Sequence, residues 1–361
     1  LSADDEACST ENCLKRTGGA CPFYRAHQAA QCAHVLIVNH ALLLADVATG
    51  NRVLPEYEYL IVDEAHHLEE AVTSALSFRV TQGDIERVLR ELGGPKTGLL
   101  GWTLGASQEA LSPEEFGAVH QLVQQATDQA FRLQSQMRGF FITLGNCLKE
   151  LREGRAIGPY AHQQRILPAV RTQPAWQDVE AVWDETERTE KALLDTVGKL
   201  AKAMAECAER LSEEDAELYS SLANLYRRMS EIHENLNALV FEPVEEQIYW
   251  VEAQPGGYQL ALHAAPLHIG PLMERYVWHE KLAVILTSAT LTTAGEFDYL
   301  RGRLYAEDAD ELALGSPFDY ETASLLYVAN DIPEPSDRHG HQRAVEPVSY
   351  THLRAHETKA N

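Results

Sequence analysis

Three short, unbroken apolar runs indicate where strands are expected. They are His34-Val-Leu-Ile-Val-Asn39, Tyr59-Leu-Ile-Val-Asp63 and Leu282-Ala-Val-Ile-Leu-Thr-Ser288. Each run is as long as a strand and lacks the alternation of apolar and polar residues that a strand with one solvent-exposed face shows. Such runs are typical of parallel strands buried on both faces. The pattern therefore predicts a parallel sheet covered by helices.

Between the second and third runs, the pattern becomes that of long helices. Ser112-Pro-Glu-Glu115 predicts a helix start, with Ser112 as N-cap and Glu115 at the capping-box position. Two later stripes of apolar residues at spacings of three and four predict helices packed in a bundle or antiparallel hairpin. They comprise Leu193, Val197, Leu200, Met204, Cys207 and Leu211, then Leu218, Leu222, Leu225, Met229, Ile232, Leu236 and Leu239. Cys207, which lies on a stripe, and the isolated Cys147 are interpreted as core residues.

The chain then returns to β structure. Residues 247–252 and 258–262 flank Pro255-Gly-Gly257 and predict a hairpin. The predicted fold class is therefore α/β, with a parallel-sheet core interrupted by a large inserted α-helical domain. The 361 residues suffice for two or three domains.

Charge and composition exclude several classes of protein. The 30 Lys and Arg residues face 54 Asp and Glu residues, which gives a net charge of −24. A uniformly basic surface is excluded, so a nucleic-acid partner would need a local basic groove. No apolar run approaches the ~20 residues of a membrane span, and nothing reads as a signal peptide. With six Cys, the chain is not a secreted disulfide scaffold, and we expect a cytoplasmic protein without a membrane partner.

Candidate chemistry lies where two of the predicted strands end. Asp63-Glu-Ala-His66 follows the second run, and carboxylates at this edge of a parallel sheet lie where open α/β sheets bind ligands. Asp63 could hold Mg²⁺ through water, and Glu64 could orient and deprotonate the water that attacks a nucleoside triphosphate. His66 could link the phosphate site to another segment. An ordinary charged turn is the alternative.

The third run ends in Ser288-Ala289-Thr290. A hydroxyl-rich turn there could hydrogen-bond the histidine of the acidic motif and report the nucleotide state. An ordinary capped turn is the alternative.

Four of the six cysteines lie between residues 8 and 32. Cys8, Cys13 and Cys21 have spacings that suit metal ligation. Taken alone, they favour a zinc site completed by Cys32 or His27. Cys32 precedes an apolar run, where a buried thiol is the more common outcome.

Taken together, these motifs resemble the XPD/DinG family of superfamily 2 DNA helicases, with bacterial DinG-like proteins nearest. Residues 62–70 resemble its motif II, a DEAH box, and residues 285–292 its motif III. The other matching segments are residues 39–44, 54–57, 315–320 and 332–335.

The resemblance implies a division of the chain into six segments. Residues 1–32 would be the C-terminal part of an iron–sulfur cluster domain, and 33–74 a RecA-like motor domain 1 with the DEAH box. Residues 75–243 would form an Arch-like helical insertion, 244–312 the return to motor domain 1, and 313–347 the start of motor domain 2. Residues 348–361 have no apolar periodicity and are predicted to be a non-native tail.

The resemblance also implies cofactors and partners. The family uses ATP and Mg²⁺ and carries a [4Fe–4S] cluster, for which Cys8, Cys13 and Cys21 match three of the four ligands normally needed. With the resemblance, iron–sulfur replaces zinc as the preferred metal. The partners would be single-stranded DNA and forked duplex, with movement 5′ to 3′ in DNA repair or replication, and we expect a monomer. Basic and aromatic residues beside the cluster are candidate DNA contacts: Lys15, Arg16, Tyr24 and Arg25.

One expected motif is missing from these 361 residues. An ATPase of this type needs Gly-x-x-x-x-Gly-Lys-[Ser/Thr] to hold the phosphates. The nearest match, Gly93-Gly-Pro-Lys-Thr97, has a proline without N–H directly before the lysine, where the motif needs its second glycine. The arginine-bearing motifs V and VI are missing too, so we expect an internal fragment that is inactive by itself. A nucleic-acid-stimulated ATPase without unwinding, and a non-catalytic metal-binding helical module, are the alternatives.

Overall fold

The computed structural model describes residues 21–48, 53–155, 157–207, 210, 218–255, 259–317, 319, 332–334, 336–337 and 339–345. The chain forms two units, Leu1–Ala309 and Asp310–Asn361. The first unit holds two separate hydrophobic cores. The predicted start of a further domain at residue 313 lies in the second unit, and the predicted tail, 348–361, lies outside the described residues.

A small α/β part contains a parallel strand pair. Strand β1 (Tyr59–Val62) pairs with β6 (Ala283–Leu286), and Val62 lies opposite Leu286. The second and third apolar runs therefore form parallel neighbours, as predicted. Helix α1 (Pro22–Gln31) precedes this part in the chain. The other elements of the part are α2 (His40–Ala48), a 3₁₀ turn (Ala65–His67), α3 (Leu68–Ala75), α10 (Gly270–Met273), a π-helical turn (Glu274–Trp278) and α11 (Asp298–Leu304).

Two expectations for this part were wrong. The strands are not buried on both faces, since Ile61 is 68% exposed and Leu282, at the start of the third run, is 70% exposed. An apolar strand is buried on both faces only where a layer of structure covers each face. Among the described residues, a hydrophobic core covers one face of β1 and β6. The first run, residues 34–39, forms no strand, and Ile37 is 92% exposed. The backbone of residues 34–39 pairs with no strand among the described residues. An apolar run does not form a strand without such a partner.

The larger part of this unit is helical and follows the predicted stripes. Its helices are α4 (Gln82–Leu92), α5 (Gly98–Ala110), α6 (Pro113–Leu151), α7 (Pro168–Arg171), α8 (Pro174–Glu206) and α9 (Leu218–Val240). Ser112 caps α6 in a reciprocal capping box with Glu115, as predicted. Every described residue of the two stripes is buried except Ile232, which is partly buried, and Cys147 and Cys207 are buried too. None of the described helices is long and apolar enough to cross a membrane.

A four-stranded antiparallel sheet packs against these helices. Its order is β2 (Phe78–Thr81), β5 (Leu260–Pro266), β4 (Gln247–Ala253) and β3 (His162–Arg165). The predicted hairpin is therefore confirmed as β4 and β5. Its inner side chains, such as Val251 and Leu262, belong to the core of the helices. A return to motor domain 1 at residue 244 stays a prediction; the hairpin itself packs against the core of the helices.

Candidate functional site: the edge of the parallel strands

Two turns meet at the carboxyl edge of β1 and β6. Because the strands are parallel neighbours, the segments that follow them leave the sheet on the same side. The N–H of Thr287 donates to the Val62 carbonyl at 2.8 Å, and the N–H of Ala65 donates to the Thr287 carbonyl at 2.9 Å. These bonds place the acidic motif beside Ser288, although more than 200 residues separate them.

Asp63 is held by three contacts. Its Oδ1 accepts hydrogen bonds from the Thr287 hydroxyl at 2.9 Å and from the Glu64 N–H at 3.0 Å. The Nε2–H of His40 donates to the Asp63 carbonyl at 2.9 Å. The other carboxylate oxygen, Oδ2, accepts no hydrogen bond within the described part of the chain. Asp63 is an exposed residue that is fixed in place, and its Oδ2 accepts no hydrogen bond from the described residues, an arrangement that fits a Mg²⁺ ion bound directly or through water.

Glu64, His66 and Ser288 form a compact polar network. The Ser288 hydroxyl donates to Glu64 Oε2 at 3.3 Å, and His66 Nδ1 lies 2.7 Å from the Ser288 oxygen. His66 Nδ1 also lies 3.2 Å from Glu64 Oε2, and the Glu64 side chain is 60% exposed. The network can orient a carboxylate that faces solvent.

The backbone of Glu64 is unusual. Its φ of 51° lies in the left-handed region, which non-glycine residues seldom adopt. Strained backbone of this kind persists where neighbouring contacts over-determine it, and it is common at functional sites. The hydrogen bond from the Glu64 N–H to Oδ1 of its neighbour Asp63 is one such contact.

Sequence reasoning missed three residues that support the site. Thr287 and His40 hold Asp63, and Arg303 on α11 forms an ion pair with Glu69 at the start of α3. The hydrogen bond to Glu69 raises the pKa of Arg303 above its usual range. Of the three, His40 and Thr287 lie in segments that resemble the family, residues 39–44 and 285–292, whereas Arg303 lies in none of them. Ala289 and Thr290 follow Ser288 as predicted, and the Thr290 N–H donates to the Ser288 oxygen at 3.2 Å.

The predicted cluster ligands are described only in part. Cys8, Cys13, Lys15 and Arg16 lie outside the described residues. Cys21 precedes α1 at its N-cap, and Arg25 is exposed on α1; the side chain of Tyr24 is not described. Cys32, expected to be buried, is exposed at the end of α1. Across the described ranges, no group of three or more His, Cys, Asp or Glu side chains is arranged to hold a metal.

The comparisons with known proteins find similarity over most of the chain. Residues 6–85, which include the acidic motif, match the family model DEAD_2. The chain is 26% identical over 346 residues to the 3′-5′ exonuclease DinG of Bacillus subtilis, covering 93% of this chain and 36% of that protein. It is 26% identical to the ATP-dependent DNA helicase DinG of Photobacterium profundum, and the match covers 91% of this chain and 45% of that protein. It is 27% identical to the ATP-dependent DNA helicase YoaA of Escherichia coli, and the match covers 90% of this chain and 44% of that protein.

These matches indicate the class of protein that the chain is similar to. The segment with the acidic turn matches the DEAD_2 family model. Over most of its length, the chain is similar to proteins named as DinG and YoaA helicases. The chain spans less than half the length of these curated relatives.

Proposed function

We propose that this chain is part of an ATP-dependent DNA helicase that couples ATP hydrolysis to 5′–3′ movement on single-stranded DNA and to duplex unwinding, in DNA repair or replication. One observation carries the proposal: His66 of the acidic motif contacts Ser288 of the second turn at 2.7 Å. A nucleotide site and a sensing turn in direct contact are what a motor needs to convert hydrolysis into movement.

Each residue of the site has a proposed role. Asp63 would hold Mg²⁺ through Oδ2, and Glu64 would orient the attacking water and accept its proton. The metal, when bound with ATP, neutralises charge on the phosphates. His66 passes the state of the site to Ser288, while His40 and Thr287 keep Asp63 in place.

The cluster is a separate part of the proposal. Cys8, Cys13 and Cys21 are proposed as ligands of a [4Fe–4S] cluster, with zinc as the alternative. Lys15, Arg16, Tyr24 and Arg25 are proposed DNA contacts beside it. The exposed thiol of Cys32 keeps that residue available as a further ligand. Metal analysis and a visible absorption spectrum, both measured anaerobically, distinguish iron–sulfur from zinc.

The test of the proposed function is Glu64→Gln in the complete gene product. The amide keeps the shape of the side chain but cannot accept the proton from water. Turnover of ATP and unwinding of a forked duplex should fall by roughly a hundredfold or more, while nucleotide binding is retained.

The matched control is Glu58→Gln, which removes the same charge from an exposed position directly before β1. It should turn over ATP and unwind DNA like the wild type. Unchanged turnover in Glu64→Gln would remove Glu64 from its role. DNA-stimulated turnover without any strand separation by the wild type would identify a nucleic-acid-stimulated ATPase instead.

A further inference from the structure

The antiparallel sheet places one residue from each strand in a single row. Arg79 on β2 lies opposite His263 on β5, His263 opposite Trp250 on β4, and Trp250 opposite Arg165 on β3. Residues directly opposite each other project from the same face of a sheet. These four residues, the cross-sheet row, extend over about 14 Å at the usual strand spacing.

The cross-sheet row lies on the face away from the helices. Neighbouring positions on β4 and β5, Val251 and Leu262, are fully buried in the core, so the row projects to the other side. Arg79 and Arg165 are exposed, whereas Trp250 and His263 are half-buried.

The two rings at the centre form a stacked pair. The ring centroids of Trp250 and His263 are 4.7 Å apart, and the ring planes differ by 7°. Burial lowers the pKa of His263 below its ordinary value of 6.5, so the imidazole is neutral at neutral pH. Trp250 Nε1 and His263 Nε2 are shielded from solvent and have no hydrogen-bond partner among the described residues. Each ring of this uncharged pair covers one face of the other, so only the outer ring faces remain for a stacked base.

Charge at the ends of the row is positive in a chain whose net charge is −24. Arg165 forms no ion pair within the described part of the chain. Arg79 lies 3.9 Å from Asp84 but keeps 56% of its side chain exposed. The carboxylate of Glu252 on the same face accepts hydrogen bonds from two glutamine side chains. The row therefore offers cations on both sides of an aromatic centre.

We propose that the cross-sheet row binds single-stranded nucleic acid. Bases stack against the Trp250–His263 pair, and the backbone phosphates lie against Arg165 and Arg79. Aromatic stacking combined with flanking cations suits single strands, because only unpaired bases expose their faces. The inference deepens the proposed function, on which it rests for a DNA partner, by naming a binding surface outside the nucleotide site.

The test measures binding of fluorescein-labelled oligo(dT) to the 361-residue chain by fluorescence anisotropy without nucleotide. Trp250→Leu should weaken binding about tenfold, as expected for the loss of one stacked base. Arg165→Gln should weaken it too, and should reduce the slope of log affinity against log salt by about 0.7. Arg165 is exposed, so this variant also reports binding if Trp250→Leu fails to fold.

Two control variants match these changes elsewhere on the surface. Phe131→Leu removes a 76% exposed aromatic ring on α6, and Arg188→Gln removes an exposed arginine on α8. Both should bind oligo(dT) like the wild type. Equal affinity of Trp250→Leu, Arg165→Gln and the wild type would overturn the proposal. So would tighter binding to blunt duplex of the same length, or no binding by the wild type.

The assay also keeps this proposal distinct from the proposed function. It contains no ATP, so a failure of Asp63 and Glu64 in hydrolysis leaves its outcome unchanged.

Discussion

The hydroxyl of Ser288 is the smallest group on which the candidate site depends. It donates to Glu64 and lies 2.7 Å from His66, so one oxygen connects the proposed catalytic base with the proposed relay. The N–H of Thr290 also donates to it. A change in the position of the acidic motif therefore reaches the turn after β6 through this single side chain.

Ser288→Ala in the complete gene product tests that connection. Loss of a hydrogen-bonding group costs of the order of 1 kcal/mol, or about a fivefold effect. Since the proposed base itself is retained, unwinding of a forked duplex should fall more than ATP turnover, by about that factor. The ratio of base pairs opened to ATP consumed is the measurement.

Ser288→Thr supplies the control for this prediction. It keeps the hydroxyl and should restore most of the ratio. If Ser288→Ala lowers turnover and unwinding equally, Ser288 serves the chemistry and not the coupling.

The residues of this site differ in how far the sequence could predict them. Asp63, Glu64, His66 and Ser288 lie in short motifs at strand ends, where chemistry and position are both legible. The roles of Thr287 and His40 depend on a close approach between distant segments. Neither residue stands out in the sequence by its type, so only the tertiary structure reveals what it holds.

At the scale of single elements, local sequence signals predicted the helices correctly, whereas apolar runs did not predict burial correctly. The capping box at Ser112 and the stripes of α8 and α9 are confirmed, because each is set by contacts within a few residues or one helix turn. The run at 34–39 failed as a strand because a strand needs a partner elsewhere in the chain.

The capping residue Glu115 has a second role. Its carboxylate accepts the Ser112 N–H at 2.9 Å and two N–H groups of Arg210 at 2.9 and 3.1 Å. The hydrogen bond from Arg210, followed by those from Ser112, lowers the pKa of Glu115 from 4.5 to about 2. Both groups are largely exposed, so solvent and salt weaken the ion pair.

This lowered pKa predicts a pH dependence of stability. A carboxyl with a depressed folded-state pKa stabilises the fold above its unfolded-state pKa, and that contribution is lost as the pH falls towards the folded value. The Tm of Glu115→Gln should therefore lie about 2 °C below the wild type near pH 7. The gap should shrink between about pH 5 and pH 2, as measured by thermal unfolding followed by circular dichroism.

Glu114→Gln is the control, because it removes a neighbouring charge from the same helix turn without breaking the capping box. Its Tm difference from the wild type should change less over this range. A gap for Glu115→Gln that stays constant down to pH 2 would contradict the assigned cause.

At the scale of the whole molecule, the two cores of the first unit divide the chemistry. The candidate nucleotide site belongs to the small core around β1, whereas the glycine-rich segment at 93–98 belongs to the helical part. Gly93 and Gly98 have φ values of 74° and 64°, and the N–H groups of Gly94 and Thr97 each donate to the carbonyl of the other. This segment is a closed turn between α4 and α5, and those amides are not available to bind phosphates.

The last prediction follows from that geometry. Purified residues 1–361 contain no Gly-x-x-x-x-Gly-Lys-[Ser/Thr] sequence, and the phosphates of ATP need such a loop of backbone N–H groups for productive binding. We therefore expect no ATP hydrolysis stimulated by single-stranded DNA from this chain in a coupled phosphate-release assay. The complete gene product, assayed in parallel at equal concentration, should turn over ATP. Turnover by the 361 residues that disappears in Glu64→Gln would contradict this prediction and show that other residues of the chain hold the phosphates.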